Sequence, residues 1–295
     1  MTGSSRNAAQ AERWNGEGGQ QWIANRERHL REHQRLLPHL FGAADISPGD
    51  RVLDVGCGCG ETTIAAAQAA SGTPGSGTDK PGSGGSALGL DLSAPMLEVA
   101  RRLAAETGVA SAQFEQGDAQ VYPLRPGFYD VVISKFGVMF FDDPAAAFGN
   151  ICVGVRPGGR LAFLCWQDDQ HNEVFGILLG AFPAGTRLPS PSRDALFEDP
   201  RRVSELLSGT GWEDVRTVAV NEPAWMGSDV ADVVSYVRGM RVVRDLVAEL
   251  GDDTVTERAL ASVAEQYAAR QRPDGVWVRA GAWLVTAHRG PGVPA

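Results

Sequence analysis

The chain has 295 residues, 43% hydrophobic and 21% charged, with a formal net charge of -9 and a sequence pI near 5.1. That is the composition of an ordinary globular domain. No apolar run approaches the roughly 20 residues needed to cross a bilayer, and the polar start MTGSSRNAAQAERWNGEGG lacks the apolar core of a secretory signal. These features exclude membrane insertion and predict a cytoplasmic protein, and the acidic balance argues against nucleic acid as a partner.

Residues 10–45 predict an N-terminal helical segment, broken near Pro38. Arg26, Arg28, Arg31 and Arg35 alternate there with glutamates and histidines, the pattern of a solvated helix face. Trp14 and Trp22 in the same segment read as hydrophobic docking residues. RVLDVG (51–56) is a short apolar run ending in glycine, which predicts a buried strand. Glu61–Ala70 follows as an alanine-rich helix. SGTPGSGTDKPGSGGS (71–86) is nearly free of apolar side chains and cannot bury surface to offset its ordering entropy, so it predicts a flexible insert.

Strand–helix alternation then resumes. ALGLDL (87–92) predicts a strand, and Ser93 caps a helix with Pro95 in its first turn and Met96, Leu97, Ala100 and Leu103 along its apolar side. Ala112–Glu115 and Tyr129–Ser134 predict strands, Pro144–Val155 a helix that stops at RPGG, and Arg160–Cys165 a fifth strand. The alternation predicts a parallel sheet with right-handed crossovers. It spans a core at 46–167 inside a single domain, 1–295. Beyond it, Arg201–Ser208 reads as a short helix, Glu213–Val220 as a strand, Val230–Arg270 as mostly helical and Val276–His288 as a final strand. The segments 168–200 and 230–270 exceed what closing strands need, and their apolar residues (Val174, Phe175, Ile177 and Leu178; Val233, Val234, Tyr236, Val237 and Met240) predict a substrate cap.

The chemistry is concentrated in VLDVGCGCGE (52–61). Gly56, Gly58 and Gly60 at alternate positions let the backbone turn tightly and approach a ligand closely, and the following helix points its first amides at that ligand. A dinucleotide turn would read G-x-G-x-x-G. Glu61 occupies the place of its last glycine and would repel a pyrophosphate, which disfavours a nicotinamide-dependent oxidoreductase. Cys57 and Cys59 form C-x-C, but neither they nor Cys152 and Cys165 are matched by a second pair at zinc-ligand spacing, so no metal site is predicted and the four read as reduced thiols.

VLDVGCGCG resembles the first motif of the class I S-adenosylmethionine-dependent methyltransferases, in particular the ubiquinone/menaquinone-biosynthesis-type branch and its actinobacterial small-molecule relatives. GLDLSAPMLEVARR (89–102), EQGDAQVYPL (115–124) and FYDVVISKFGVMFFDDPAAAFGNICVGVRPGGRLAFLCWQ (128–167) extend the likeness over roughly 52–167. The resemblance implies an α/β fold: a Rossmann-like doubly wound, mostly parallel sheet with an antiparallel final strand and a helical cap. It implies S-adenosyl-L-methionine as cofactor, whose ammonium group is compatible with Glu61. It implies cofactor contacts from Asp54, Gly56, Cys57 and Gly58, from Asp91 to the ribose hydroxyls with Leu92 and Met96 beside the adenine, from Asp118 to the adenine amine with Gly117 and Ala119, and from Ser134 at the end of the fourth strand. The distance from Asp54 to Asp91 exceeds the usual spacing of about 20 residues, and the insert at 71–86 accounts for the surplus.

The implied reaction is transfer of a methyl group to a small organic acceptor, a secondary metabolite among the candidates, by in-line displacement. Alignment and exclusion of water would be its main catalytic factors. A base is required only for a hydroxyl or carbon-acid acceptor. His171, after the fifth strand, is the candidate base; His29 and His33, one helical turn apart, rank below it. Phe136, Met139 and Phe140 are candidate substrate-pocket residues. A cofactor-binding scaffold, or a non-methylating enzyme on the same fold, is the alternative from another class. A homodimer is compatible with the sequence.

Overall fold

The computed structural model describes residues 7–72, 84–183 and 195–291. Four short helices open it: α1 (Ala8–Asn15), α2 (Glu17–Ala24), α3 (Arg26–His33) and α4 (Leu37–Ala44). The expected helical segment is divided at Gly16, whose backbone leaves the helical region (φ -101, ψ -141), and at Asn25. Pro38 lies in the first turn of α4, where its missing N–H costs nothing.

The alternating core follows as β1 (Arg51–Val55), α5 (Glu61–Ser71), β2 (Ser86–Asp91), α6 (Ala94–Thr107), β3 (Ala112–Gln116), β4 (Tyr129–Lys135), α7 (Pro144–Gly154) and β5 (Val155–Trp166). Side-chain caps set the helix starts: Ser93 Oγ accepts from the Met96 amide, and Asp143 accepts from the Ala146 amide at 2.9 Å. The remainder comprises α8 (Glu173–Ala181), α9 (Pro200–Ser208), β6 (Trp212–Gly227), α10 (Val230–Gly239), α11 (Arg241–Leu250), α12 (Asp253–Ala268), β7 (Gln271–Arg272) and β8 (Gly275–Arg289).

The sheet runs β3-β2-β1-β4-β5-β8-β6, with β7 paired to β8. Strands β1 to β5 are parallel, and β8 is antiparallel to both of its long neighbours. This is the doubly wound sheet with an antiparallel final strand that the sequence predicted. Leu53, Leu90, Val131, Ile133, Leu161 and Phe163 form its buried centre. A second core, with Leu178, Val233, Val237, Val243, Val263 and Tyr267, lies among α8, α10, α11 and α12.

Several boundaries differ from expectation. β5 starts at Val155, not Arg160, because Val155 pairs with Tyr129 before a bulge restores the ladder at Arg160 and Val131. β6 runs on past Val220 to Gly227, because β8 continues beside it and pairs Ala224 with Val278 and Trp225 with Trp277. Most of the insert expected at 71–86, and residues 184–194 of the expected cap at 168–200, lie outside the described residues. Of the four arginines, Arg31 and Arg35 are exposed as expected and Arg26 and Arg28 are partly buried, but all four have partners. Arg28 and Arg31 stand over the Trp225 ring and Arg35 over Trp277, Arg26 pairs with Glu61, and Arg28 pairs with Asp232. All four cysteines are buried free thiols. Among the described residues no helix is long and apolar enough to cross a membrane.

Candidate functional site

At the C-terminal end of β1 the chain turns through Gly56, Gly58 and Gly60, at φ of 68, 57 and 88. The left-handed region strains any residue with a Cβ, and two of these glycines are also sterically required. A Cβ on Gly56 would lie 2.7 Å from Gly137 Cα, and one on Gly60 would lie 2.7 Å from both Ala100 Cβ and the Phe114 ring. The Gly58 amide donates to Asp91 Oδ2 at 2.8 Å, and the Ser93 amide donates to Asp91 Oδ1 at 2.8 Å. The carboxylate at the end of β2 is thereby fixed against the glycine turn. Burial raises its pKa against the opposing pull of these amides. Asp118, beyond β3, accepts from the amide and side chain of Gln120.

These strand ends open into one cavity of about 1260 Å³. Gly56, Cys57, Gly58, Asp91, Leu92, Met96, Gly117, Asp118 and Ala119 line one part of it, and Lys135, Phe136, Met139 and Phe140 another. Phe175 and Leu178 of α8 and Tyr236 of α10 line the same space, so both segments beyond the core reach it. A site for one drug-sized ligand occupies about 300–1,000 Å³. This cavity is larger, with room for two molecules side by side.

Three expected site residues lie elsewhere. Asp54 is fully buried beneath the turn, where its Oδ2 accepts from the Thr62 and Thr63 hydroxyls at 2.6 Å each and its Oδ1 has no partner among the described residues. It ties β1 to the first turn of α5, and burial pushes its pKa up to about 6. The Ser134 hydroxyl donates to the Val55 carbonyl at 2.7 Å and joins β4 to β1, away from the cavity lining. His171 is half-exposed and outside the lining, with Nδ1 2.6 Å from Asp168 Oδ1. The cause is Asn172. Its side chain donates to the Gln167 carbonyl and accepts from the Gly281 amide at 3.0 Å each, so the turn is clamped to β8 with Asn172 on the lining. Glu61 is likewise paired with Arg26.

Other lining residues come from the N-terminal helices. Ser93 Oγ donates to the Trp14 carbonyl at 2.7 Å, and Asn15 bridges the Leu92 carbonyl and the Ala94 amide at 2.9 Å each, so α1 is pinned onto the start of α6. Trp14, Trp22, His29, Glu32 and His33 then line the cavity. Trp22 and His29 stack at 4.1 Å, and Phe136 stacks on Trp166 at 3.9 Å with His33 beside both rings. The sequence signal for α3 was the 29, 32, 33 spacing, which places all three on one helix face.

A methyltransferase-domain family model matches residues 46–176. The nocamycin O-methyltransferase of Saccharothrix syringae is 30% identical over 266 residues, covering 80% of this chain and 90% of that one. The chain belongs to the S-adenosylmethionine-dependent methyltransferases. An uncharacterized protein of Mycobacterium tuberculosis is similar along 82% of both chains at 29% identity. In fold, the YcgJ protein of Bacillus subtilis superposes with a TM-score of 0.57 at 17% identity, over 88% of this chain and 100% of that one. None of these points to an oxidoreductase.

The residues of this methyltransferase fit the cofactor. The turn at Gly56 and Gly58 bares backbone, a fixed carboxylate stands at the end of β2, and apolar Leu92, Met96 and Ala119 lie near the carboxylate of Asp118. When bound, S-adenosylmethionine supplies a methyl group already activated on a sulfonium. The protein's own tasks are to hold both molecules in line and to keep water out.

Proposed function

We propose that this methyltransferase acts on a small, largely apolar, ring-bearing organic acceptor held between the cofactor edge of the sheet and helices α8, α10 and α11. In this reading Asp91 takes the ribose hydroxyls, Asp118 the adenine amine, and the bare Gly56–Gly58 backbone lies against the rest of the cofactor. Phe136, Met139, Phe140 and Tyr236 form the acceptor's walls. The observation that carries the reading is the single cavity of about 1260 Å³, lined both by the strand-end carboxylates and by these aromatic side chains. Aromatic rings give a flat apolar molecule large contact area and edge-to-face partners. The net charge of -9 makes a phosphate-backbone acceptor unfavourable, and the relative from Saccharothrix syringae is named as an O-methyltransferase of nocamycin. Catalysis is by in-line displacement with alignment as its main factor.

The test is a panel of ring-bearing small molecules incubated with the protein and S-adenosylmethionine, read by mass spectrometry. Formation of S-adenosylhomocysteine in step with a one-methyl mass gain on an acceptor supports the reading. Tight cofactor binding without methylation of any small molecule, alongside methylation of a protein or nucleic acid, refutes it.

A further inference from the structure

Helix α3 places an imidazole–carboxylate pair in the cavity. His29 Nδ1 lies 3.1 Å from Glu32 Oε2, and both residues line the space shared with Lys135, Phe136 and Tyr236. The His29 ring is held between Trp22, stacked at 4.1 Å and 16°, and Tyr236, edge-on at 6.3 Å. Its side chain is 13% exposed, and its Nε2 has no hydrogen-bond partner among the described residues. A histidine whose Nδ1–H donates to a carboxylate carries its lone pair on Nε2. A base held by an orienting acid, in a cavity, is the arrangement that proton abstraction needs.

We propose that His29, oriented by Glu32, is the general base of this methyltransferase, and that its acceptor therefore reacts through a hydroxyl with a proton to lose, phenolic or enolic, and not through an amine. The inference rests on the small-molecule reading above.

The surrounding charges support the division of roles. Burial works against the Glu32 carboxylate, but the polar groups around it, among them the His29 hydrogen bond and the Arg28 guanidinium, outweigh it, and its pKa lies below the ordinary carboxylate value. Glu32 is thus an anion, able to accept the Nδ1–H of His29. His33 is not the base: its ring is 3% exposed, and burial holds its pKa at about 3. From other elements, Tyr236 and Asp232 of α10 and Lys135 at the end of β4 lie nearby. Burial raises the Tyr236 pKa, and Asp232 is occupied by Arg28. Burial lowers the Lys135 pKa. In the step itself the acceptor's O–H bond breaks, its proton passes to His29 Nε2 and the electron pair stays on oxygen. That oxygen bonds the methyl carbon as the carbon–sulfur bond breaks, and the released pair neutralises the sulfonium. The imidazolium then loses its proton to solvent.

The experiment uses matched ring acceptors that carry either a hydroxyl or a primary amine at the same position. Wild type is compared with His29→Gln and Glu32→Gln, with S-adenosylhomocysteine affinity measured by calorimetry. We expect the hydroxyl member to be methylated, and kcat to fall by about 10²–10⁴ in His29→Gln, the usual contribution of general base catalysis. Cofactor-product affinity should stay within about twofold, and added imidazole should restore part of the rate. In Glu32→Gln kcat should fall with KM held within about twofold, because an amide no longer fixes the Nδ1–H tautomer of His29. Nitrogen-15 NMR of the wild type, without any acceptor, should show His29 protonated on Nδ1. A kcat within threefold of wild type in His29→Gln, a preference for the amine, or an Nε2-protonated His29 would each overturn the proposal. A wild type that binds S-adenosylhomocysteine yet methylates neither compound strikes at the small-molecule reading instead, and the tautomer then decides the base by itself.

Discussion

Gly56 and Gly137 run back to back, so close that a Cβ on Gly56 would lie 2.7 Å from the Gly137 Cα. Neither backbone can yield without shifting β1 or the turn after β4. Overpacking costs about 1–3 kcal/mol, and a side chain at a left-handed φ about 1–2 kcal/mol more. Gly56→Ala should therefore lower the melting temperature and weaken S-adenosylhomocysteine binding together. Thermal unfolding and calorimetry check this, and a stable variant with native affinity would show that the two turns are looser than their spacing implies.

Asp91→Ala should weaken binding of S-adenosylhomocysteine more than tenfold. A hydrogen bond to a charged group contributes about 1.5–3 kcal/mol, and this carboxylate also holds the Gly58 and Ser93 amides. Calorimetry that returned wild-type affinity would remove Asp91 from the cofactor site.

Asp54 sets a pH signature. Its pKa is raised to about 6, so the folded state keeps a proton that the unfolded state releases near pH 4. Stability from this group is present below pH 4 and is lost as pH rises through 6. Asp54→Asn lacks that loss. The stability difference, variant minus wild type, should rise by up to about 3 kcal/mol between pH 4 and 6, at ~1.4 kcal/mol per pH unit, and then level off. Urea unfolding at several pH values measures it, and a difference independent of pH would contradict burial as the cause.

Replacing residues 73–83 with a short turn should leave the melting temperature and cofactor affinity nearly unchanged. The replaced stretch is almost free of apolar side chains. Its flanks already meet, since a Cβ on Gly85 would lie 2.3 Å from the Ala70 carbonyl oxygen. Loss of either property on replacement would assign the stretch a structural role.

His171→Ala should keep kcat within about twofold of wild type, because the ring pairs with Asp168 outside the cavity lining. A large loss of rate would return His171 to the reaction.

β1 and β2 were legible because each is a short apolar run closed by glycine or aspartate, signals that local chemistry alone sets. The true place of Asp54 was not legible: its partners Thr62 and Thr63 come near only once α5 turns back over β1. The role of α3 was hidden by its own composition. RERHLREH reads as a solvated helix, and only packing against Trp225, Trp277 and Tyr236 turns His29 and Glu32 inward. β6 runs on from Val220 through Pro223, which pairs with Arg279 of β8. As the last strand of the sheet, β6 has a free edge where a missing N–H is tolerated.

The extended β6–β8 ribbon ties the two cores together by parity. On β6, Val220 belongs to the first core and Ala224 and Met226 to the second; on β8, Ala282 belongs to the first and Val276, Val278 and Ala280 to the second. Val220, Ala224, Ala282, Val278 and Ala280 carry even numbers and share one face of the ribbon, whereas Val285 and Ala287 of the first core lie on the other. A single-residue insertion between Val220 and Ala224 that keeps the pairing regular would turn Ala224 outward while leaving Val220 in place. Such an insertion would leave the first core intact and remove the β6 contribution to the second, whereas a two-residue insertion would preserve the facing of both.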